Sequence, residues 1–174
     1  MSFEEIYRNY SKRVFNLALQ YVQNTEDAEE ITQDVFVAIY HALPDFQENS
    51  QPGTWVYRIA INKSLDYIKK KKRQKRFAFI SSLFQVNQDE IQHEDRTFHH
   101  PGISLEQKEA VGNIFIHINS LSDNQKTALI LSKLEHKSQK EIAEIMKLSP
   151  KAVESLIQRA KNNLGKKLGH GEGY

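Results

Sequence analysis

The side chains able to do chemistry fall into three groups, and none of them is the set an enzyme needs. The first lies in WVYRIAINKSLDYIKKKK, where Arg58, Asn62, Lys63, Lys69 and Lys70 share a helical stretch with Trp55 and Tyr57. Amides and cations beside rings suit a single nucleic-acid strand, because bases stack on aromatic faces and phosphates pair with cations. Trp55 itself is expected to pack in the core, and the lysine run also serves as a solvated helix end at the negative pole of the helix dipole. The second group is SQKEIAEIMKLSPKAVESLIQRAK, Ser138 to Lys161, which places polar residues on the second of two short helices. The third is acidic: Glu26, Asp27, Glu29, Glu30 and Asp34. These acids complement the positive end of a helix dipole or face a partner; the pattern allows both.

Other chemistries lack their residues. No glycine-rich nucleotide loop, histidine–glutamate zinc motif or serine nucleophile elbow occurs. The chain has no cysteine, hence no thiolate nucleophile and no disulfide framework. His93, His99 and His100 have neither a cysteine companion nor a helical i, i+4 partner, so no metal or other cofactor is expected. An enzyme is not expected either. Net charge is only +2, but KKKKRQKR at Lys69 to Arg76 opposes the acidic cluster near Asp27. Such asymmetry suits one anionic partner and a different partner on another face.

The elements that must position these groups are all helical. Ser2 with Glu5, Ser104 with Gln107, Ser122 with Gln125 and Ser138 with Glu141 each match the capping-box spacing. Ser149-Pro150 gives a cap followed by proline in the first helical position. Ile6, Tyr10, Val14, Leu17 and Tyr21 recur at helical spacing, as do Ala28, Ile31, Val35, Ala38, Ile39 and Ala42. Trp55, Ile59, Leu65 and Ile68 are expected to face a core, with Arg58, Asn62, Lys63, Asp66, Lys69 and Lys70 outward. Ile142, Met146, Leu148, Val153 and Ile157 form a shared face for a helix-turn-helix, whose second helix can enter a major groove. Leu105, Val111, Ile114, Phe115 and Ile118, then Ala128, Leu129, Leu131 and Leu134, supply two helices before it. From Phe77 to Ile103 the periodicity fails, which predicts a linker. The expectation is an all-α chain of two small helical domains: 1–76, a linker at 77–103, a second domain at 104–168, and a fraying tail at 169–174. No apolar run approaches the roughly 20 residues of a membrane span. The N-terminus is unlike a signal peptide. With a mean hydropathy of −0.61, these features predict a soluble cytoplasmic protein.

Two segments together resemble a known family. DAEEITQDVFVAIYHAL (Asp27 to Leu43) with GTWVYRIAINKSLDYIKKKKR (Gly53 to Arg73) resembles region 2 of the extracytoplasmic-function sigma factors of the sigma-70 family. SLSDNQKTALILSKLEHKSQKEIAEIMKLSPKAVESLIQRAKNNL resembles their region 4. The resemblance implies a non-enzymatic protein that binds core RNA polymerase and directs promoter-specific initiation. Region 2 docks on the β′ coiled coil and captures the melted −10 strand; region 4 binds the β flap and reads the −35 duplex. Carried over, the polymerase contact falls on Asp27, Glu30, Gln33 and Asp34. The −10 contact falls on Phe46, Gln47 and Ser50 of the loop, on Asn62, and on Arg58, Lys63, Lys69 and Lys70 for phosphate. The −35 contact falls on Lys151, Ala152, Glu154, Ser155, Gln158 and Arg159. An anti-sigma partner is expected from the resemblance alone.

The chain departs from the family pattern in the turn and the reading helix. Lys147 stands where glycine is common, and a left-handed backbone there costs on the order of 1 kcal/mol. Ala152 and Glu154 replace a common threonine and a common basic residue, and Leu156 a frequent arginine. Glu154 either accepts from a cytosine N4 amine or pairs with a nearby lysine. A stand-alone helix-turn-helix regulator would explain Ser138 to Lys161 but leave the acidic helix and the Asn62–Lys70 face idle. A helical adaptor would leave the basic run Lys69 to Arg76 without a role in DNA-dependent activity.

Overall fold

The structure, a computed structural model, describes residues 1–46, 50–84 and 105–169. Its described residues form helices and turns, with no strand among them: α1 (Phe3–Val22), α2 (Thr25–Ala42), a short 3-10 turn (Leu43–Asp45), α3 (Pro52–Phe84), α4 (Leu105–Asn119), α5 (Asp123–Lys133), α6 (Gln139–Met146) and α7 (Pro150–Gly169).

The helix starts are local chemistry. Ser2 Oγ accepts from the Glu5 N–H at 3.2 Å, and Glu5 accepts from the Ser2 N–H at 2.8 Å, a complete capping box. Asn24 Oδ1 caps α2 through the Asp27 N–H at 2.8 Å. Ser138 and Glu141 repeat the complete box at α6. Ser122 caps α5 through its own oxygen, on the Gln125 N–H at 3.4 Å. Ser149 Oγ accepts from the Ala152 N–H at 3.2 Å, directly before Pro150 opens α7. Ser104 lies outside the described residues, as do the three histidines weighed for a metal and residues 170–174 of the tail.

Helices α1, α2 and α3 pack on one another through Ile6, Val14, Leu17, Ala28, Ile31, Val35, Ile39, Val56, Ala60 and Ile61, all buried. Gly53 permits the entry of α3, since a Cβ there would stand 3.3 Å from the Tyr10 hydroxyl. The second group is built around α5. Lys126, Thr127, Ala128, Leu129, Ile130 and Leu131 are all buried, so α5 is covered on every side. It supports α6 and α7, which pack through Ile142, Ala143, Ile145, Val153 and Ile157.

Three expectations change. Helix α3 runs to Phe84, past the predicted start of the linker at residue 77. RQKRFAFISSLF holds no proline or glycine, so nothing local stops the helix where its apolar periodicity ends. Leu148 and Leu134, expected on apolar faces, are 36% and 39% exposed. Each sits in a connection just past a helix end, where the chain leaves the face that its spacing would otherwise continue. Finally, the inner side of α3 is Val56, Tyr57, Ala60 and Ile61, while Trp55, Ile59, Leu65 and Ile68 are only partly buried. One continuous cluster of buried residues takes in both helix groups, which is why α3 is covered on more than one side.

Candidate nucleic-acid interface

The helix-turn-helix is closed by an uncommon backbone. Lys147 has φ 54° and ψ 46°, the left-handed conformation. The Leu148 N–H reaches the Ala143 carbonyl at 3.0 Å, and the Lys147 N–H reaches that of Glu144 at 3.4 Å. This is the Schellman pattern that ends a helix and redirects the chain. Beyond it, α7 presents Lys151, Glu154, Ser155, Gln158 and Arg159 to solvent, with Ala152 half-buried at its start. Gln158 donates to Asn162 at 3.1 Å, which holds its amide along the helix. No lysine pairs with Glu154 among the described residues, so its carboxylate remains available to a base edge. Leu156 packs against the core instead of facing outward, so a cation at that position would not lie on the reading face.

On α3, Arg58, Asn62 and Lys69 follow one another at helical spacing, with Lys70 beside them. Asn62, Lys69 and Lys70 are exposed and Lys63 is half-buried. Lys69 Nζ stands 3.2 Å from Asp123 of α5. Phe46 ends the 3-10 turn and stacks on Trp55, with ring centroids 4.5 Å apart and planes 29° apart. Trp55, near the start of α3, is therefore ring-stacked and half-buried, as is Phe46. Ser50 is half-buried at the end of the loop, and Gln47 lies outside the described residues.

The acidic face of α2 divides in two. Asp27 is held between helices: it accepts from the Tyr67 hydroxyl at 2.8 Å and pairs with Lys71 at 2.6 Å. Glu30 accepts from the same hydroxyl at 3.2 Å. Burial first, and then these carboxylates, push the Tyr67 phenol up, so it stays a donor. Gln33 and Asp34 are exposed and make no side-chain hydrogen bond or ion pair among the described residues.

Residues 6–74 match the family Sigma-70 region 2, and residues 118–164 match Sigma-70, region 4. The chain is 28% identical to the ECF RNA polymerase sigma factor SigW of Bacillus subtilis, over 96% of this chain and 89% of that one. It is 29% identical to the ECF RNA polymerase sigma-E factor of Haemophilus influenzae, over 96% and 87%. The chain belongs to the extracytoplasmic-function sigma factors of the sigma-70 family. Its fold agrees with that of the sigma factor RpoE of Bartonella quintana, solved in complex with the anti-sigma factor NepR: TM-score 0.66, 20% identity, 96% of each chain covered.

In this sigma factor the region 2 match takes in α1, α2 and most of α3, and the region 4 match runs from the end of α4 into α7. The two groups meet through polar side chains that sequence reasoning passed over. Glu135 accepts from Gln20 Nε2 and from the Tyr57 hydroxyl, both at 2.7 Å. The Tyr21 hydroxyl and Thr127 Oγ1 are 2.8 Å apart. Asn119 donates to Gln23 at 2.8 Å. Buried Lys126 lies over the Tyr21 ring at 5.5 Å and donates to Asn119 Oδ1 at 3.2 Å; desolvation holds its ammonium pKa down. Arg58, expected on phosphate, is turned to α6. It donates to the Glu144 carbonyl at 2.6 Å and to that of Ile145 at 3.2 Å. A lone charged residue in an apolar stretch, like Lys126 in NQKTALIL, was the one available signal. Hydrogen bonds spanning such sequence distances leave no local pattern.

Proposed function

We propose that this sigma factor directs core RNA polymerase to its promoters by holding the melted −10 strand on α3 and reading the −35 duplex with α7. The observation that carries the reading is that one chain presents two exposed polar surfaces of different build, one on α7 and one on α3. The exposed face of α7 suits duplex base edges: Lys151 and Arg159 flank Glu154, Ser155 and Gln158. The amide and cations of α3, beside the Phe46–Trp55 stack, suit an unstacked strand. Arg58, Lys63, Lys69 and Lys70 are assigned to its phosphates, and Phe46, Gln47, Ser50 and Asn62 to its bases. The exposed Gln33 and Asp34 form the polymerase contact, with Asp27 and Glu30 bracing α2 behind them as well as contributing to it.

The protein supplies positioning and no covalent chemistry, and it works in the cytoplasm, where polymerase and promoter are. Among the described residues no helix is long and apolar enough to cross a membrane. An anti-sigma partner is included in the reading, since the sigma factor RpoE of similar fold was solved with the anti-sigma factor NepR. The test is transcription in vitro. Core polymerase with the purified protein should initiate at discrete promoters, and core polymerase alone should not. Duplex binding with no polymerase association would instead support the stand-alone regulator.

A further inference from the structure

The solvent face of α7 carries a lone anion among cations. Glu154 is the single acid of PKAVESLIQRAKNNLGKKLG, which also holds Lys151, Arg159, Lys161, Lys166 and Lys167. The buried side fixes the rotation of this helix. Val153 and Ala160 are fully buried, Ile157 nearly so, and Leu156 packs against the same core as Val153 and Ile157. Lys151, Glu154 and Gln158, spaced three and four residues apart, are therefore neighbours on the side left to solvent. The Glu154 and Lys151 side chains make no hydrogen bond or ion pair among the described residues, with each other or elsewhere. The helix dipole gives little reason for an acid here, because it favours acids in the first turn and Glu154 stands just past it.

Resting on the assignment of α7 to the −35 duplex, we propose that Glu154 makes this sigma factor select a cytosine in that element, with Lys151 on the guanine paired to it. A carboxylate in the major groove lies between two walls of phosphate, so it is tolerated only where a base offers it a donor. The groove offers two kinds, the N4 amine of cytosine and the N6 amine of adenine. Guanine and thymine present acceptors, which repel a carboxylate. Adenine carries the acceptor N7 beside its amine, where the second carboxylate oxygen would meet it. Cytosine has no acceptor beside N4 on its own edge.

The neighbouring lysine completes the match. In a C·G pair, guanine O6 and N7 lie next to the cytosine amine and accept from lysine. An acceptor beside a donor on the helix thus meets a donor beside acceptors on the pair. Because Glu154 and Lys151 are not spent on each other, both are free to do so.

The experiment uses core polymerase loaded with the full chain. Promoters found in the transcription test are rebuilt with the upstream duplex randomised, and bound sequences are selected and counted. The unmodified protein should enrich a C·G pair at one upstream position by about tenfold over the other three pairs. Glu154→Ala should abolish the preference at that position and leave the rest of the element in place. Glu154→Gln should move it to adenine, because glutamine bonds N6 and N7 together. A role limited to helix stability would not change which base is preferred. Lys151→Ala should weaken the preference at the same base pair. A C·G preference equally strong in both Glu154 variants would overturn the assignment, and so would a Lys151→Ala effect confined to another base pair. An unmodified protein with no upstream preference would instead overturn the reading of α7 on which the assignment rests, so the two failures are distinguishable.

Discussion

The turn of the helix-turn-helix allows a stability change to be worked out in advance. Lys147 holds a left-handed backbone, φ 54° and ψ 46°. A side chain with a Cβ pays about 1–2 kcal/mol there, which glycine does not. Glycine adds freedom to the unfolded chain and returns about 0.4–1 kcal/mol of that gain. The Lys147 side chain is exposed and has no partner among the described residues, so its removal costs little else. Lys147→Gly should therefore stabilise the protein by about 0.5–1 kcal/mol. For a chain of this size the thermal midpoint should rise by about 1–4 °C. The urea midpoint should rise with an unchanged slope. Lys147→Asn should fall between glycine and lysine, and Lys147→Val below lysine, because a β-branched residue is worst at positive φ. Thermal and urea unfolding of the four proteins gives the order directly. A midpoint for Lys147→Gly at or below that of the parent would refute the strain argument.

Other consequences follow from the exposed faces and the caps. Asp34→Lys should weaken association with core polymerase by about tenfold, or about 1.4 kcal/mol, without altering thermal stability; equal affinity in a pull-down titration would remove Asp34 from the contact. Lys69→Gln and Lys70→Gln should each lower the log–log salt slope of promoter-complex stability by roughly 0.7 to 0.9, and an unchanged slope would leave both lysines as a solvated helix surface. The Glu141 carboxyl is held below the usual carboxylate range by the Ser138 N–H first, then by the Ser138 hydroxyl. Because its folded value is depressed, its contribution is full above the ordinary carboxylate pKa and is lost as pH falls through the folded one. Ser138→Ala should cost about 1 kcal/mol near neutrality and make the acid limb of the stability curve shallower. An acid limb of the same steepness would count against that linkage.

What was legible in the chain was what is encoded locally. The caps at Ser2, Ser122, Ser138 and Ser149 each involve residues within one turn, and the structure places each at a helix start. The exposed face of α7 was legible for the same reason, since helical spacing fixes which residues share a side. Local reading failed where a helix has two neighbours. Arg58 belongs to the outward set of α3 when only one side of that helix is buried, yet α6 receives its side chain. Val56, Ala60 and Ile61 are buried because α3 is covered on more than one side. Past Arg76 the apolar periodicity ends but the helix does not, and α3 continues to Phe84. Glu135 lies between two helices with no local pattern to mark it, and only its partners Gln20 and Tyr57 give it significance.

The chemistry that suits promoter DNA also suits the contact between the two halves of the protein. A strand-binding surface needs cations and amides that can leave water, and a helix C-terminus needs those same donors for its free carbonyls. Arg58 donates to the C-terminal pole of α6, whose carbonyls resemble a phosphate oxygen in charge and in hydrogen-bonding demand. Under the function proposed above, the α6 contact and a strand phosphate exclude one another at this guanidinium, so the two are thermodynamically linked.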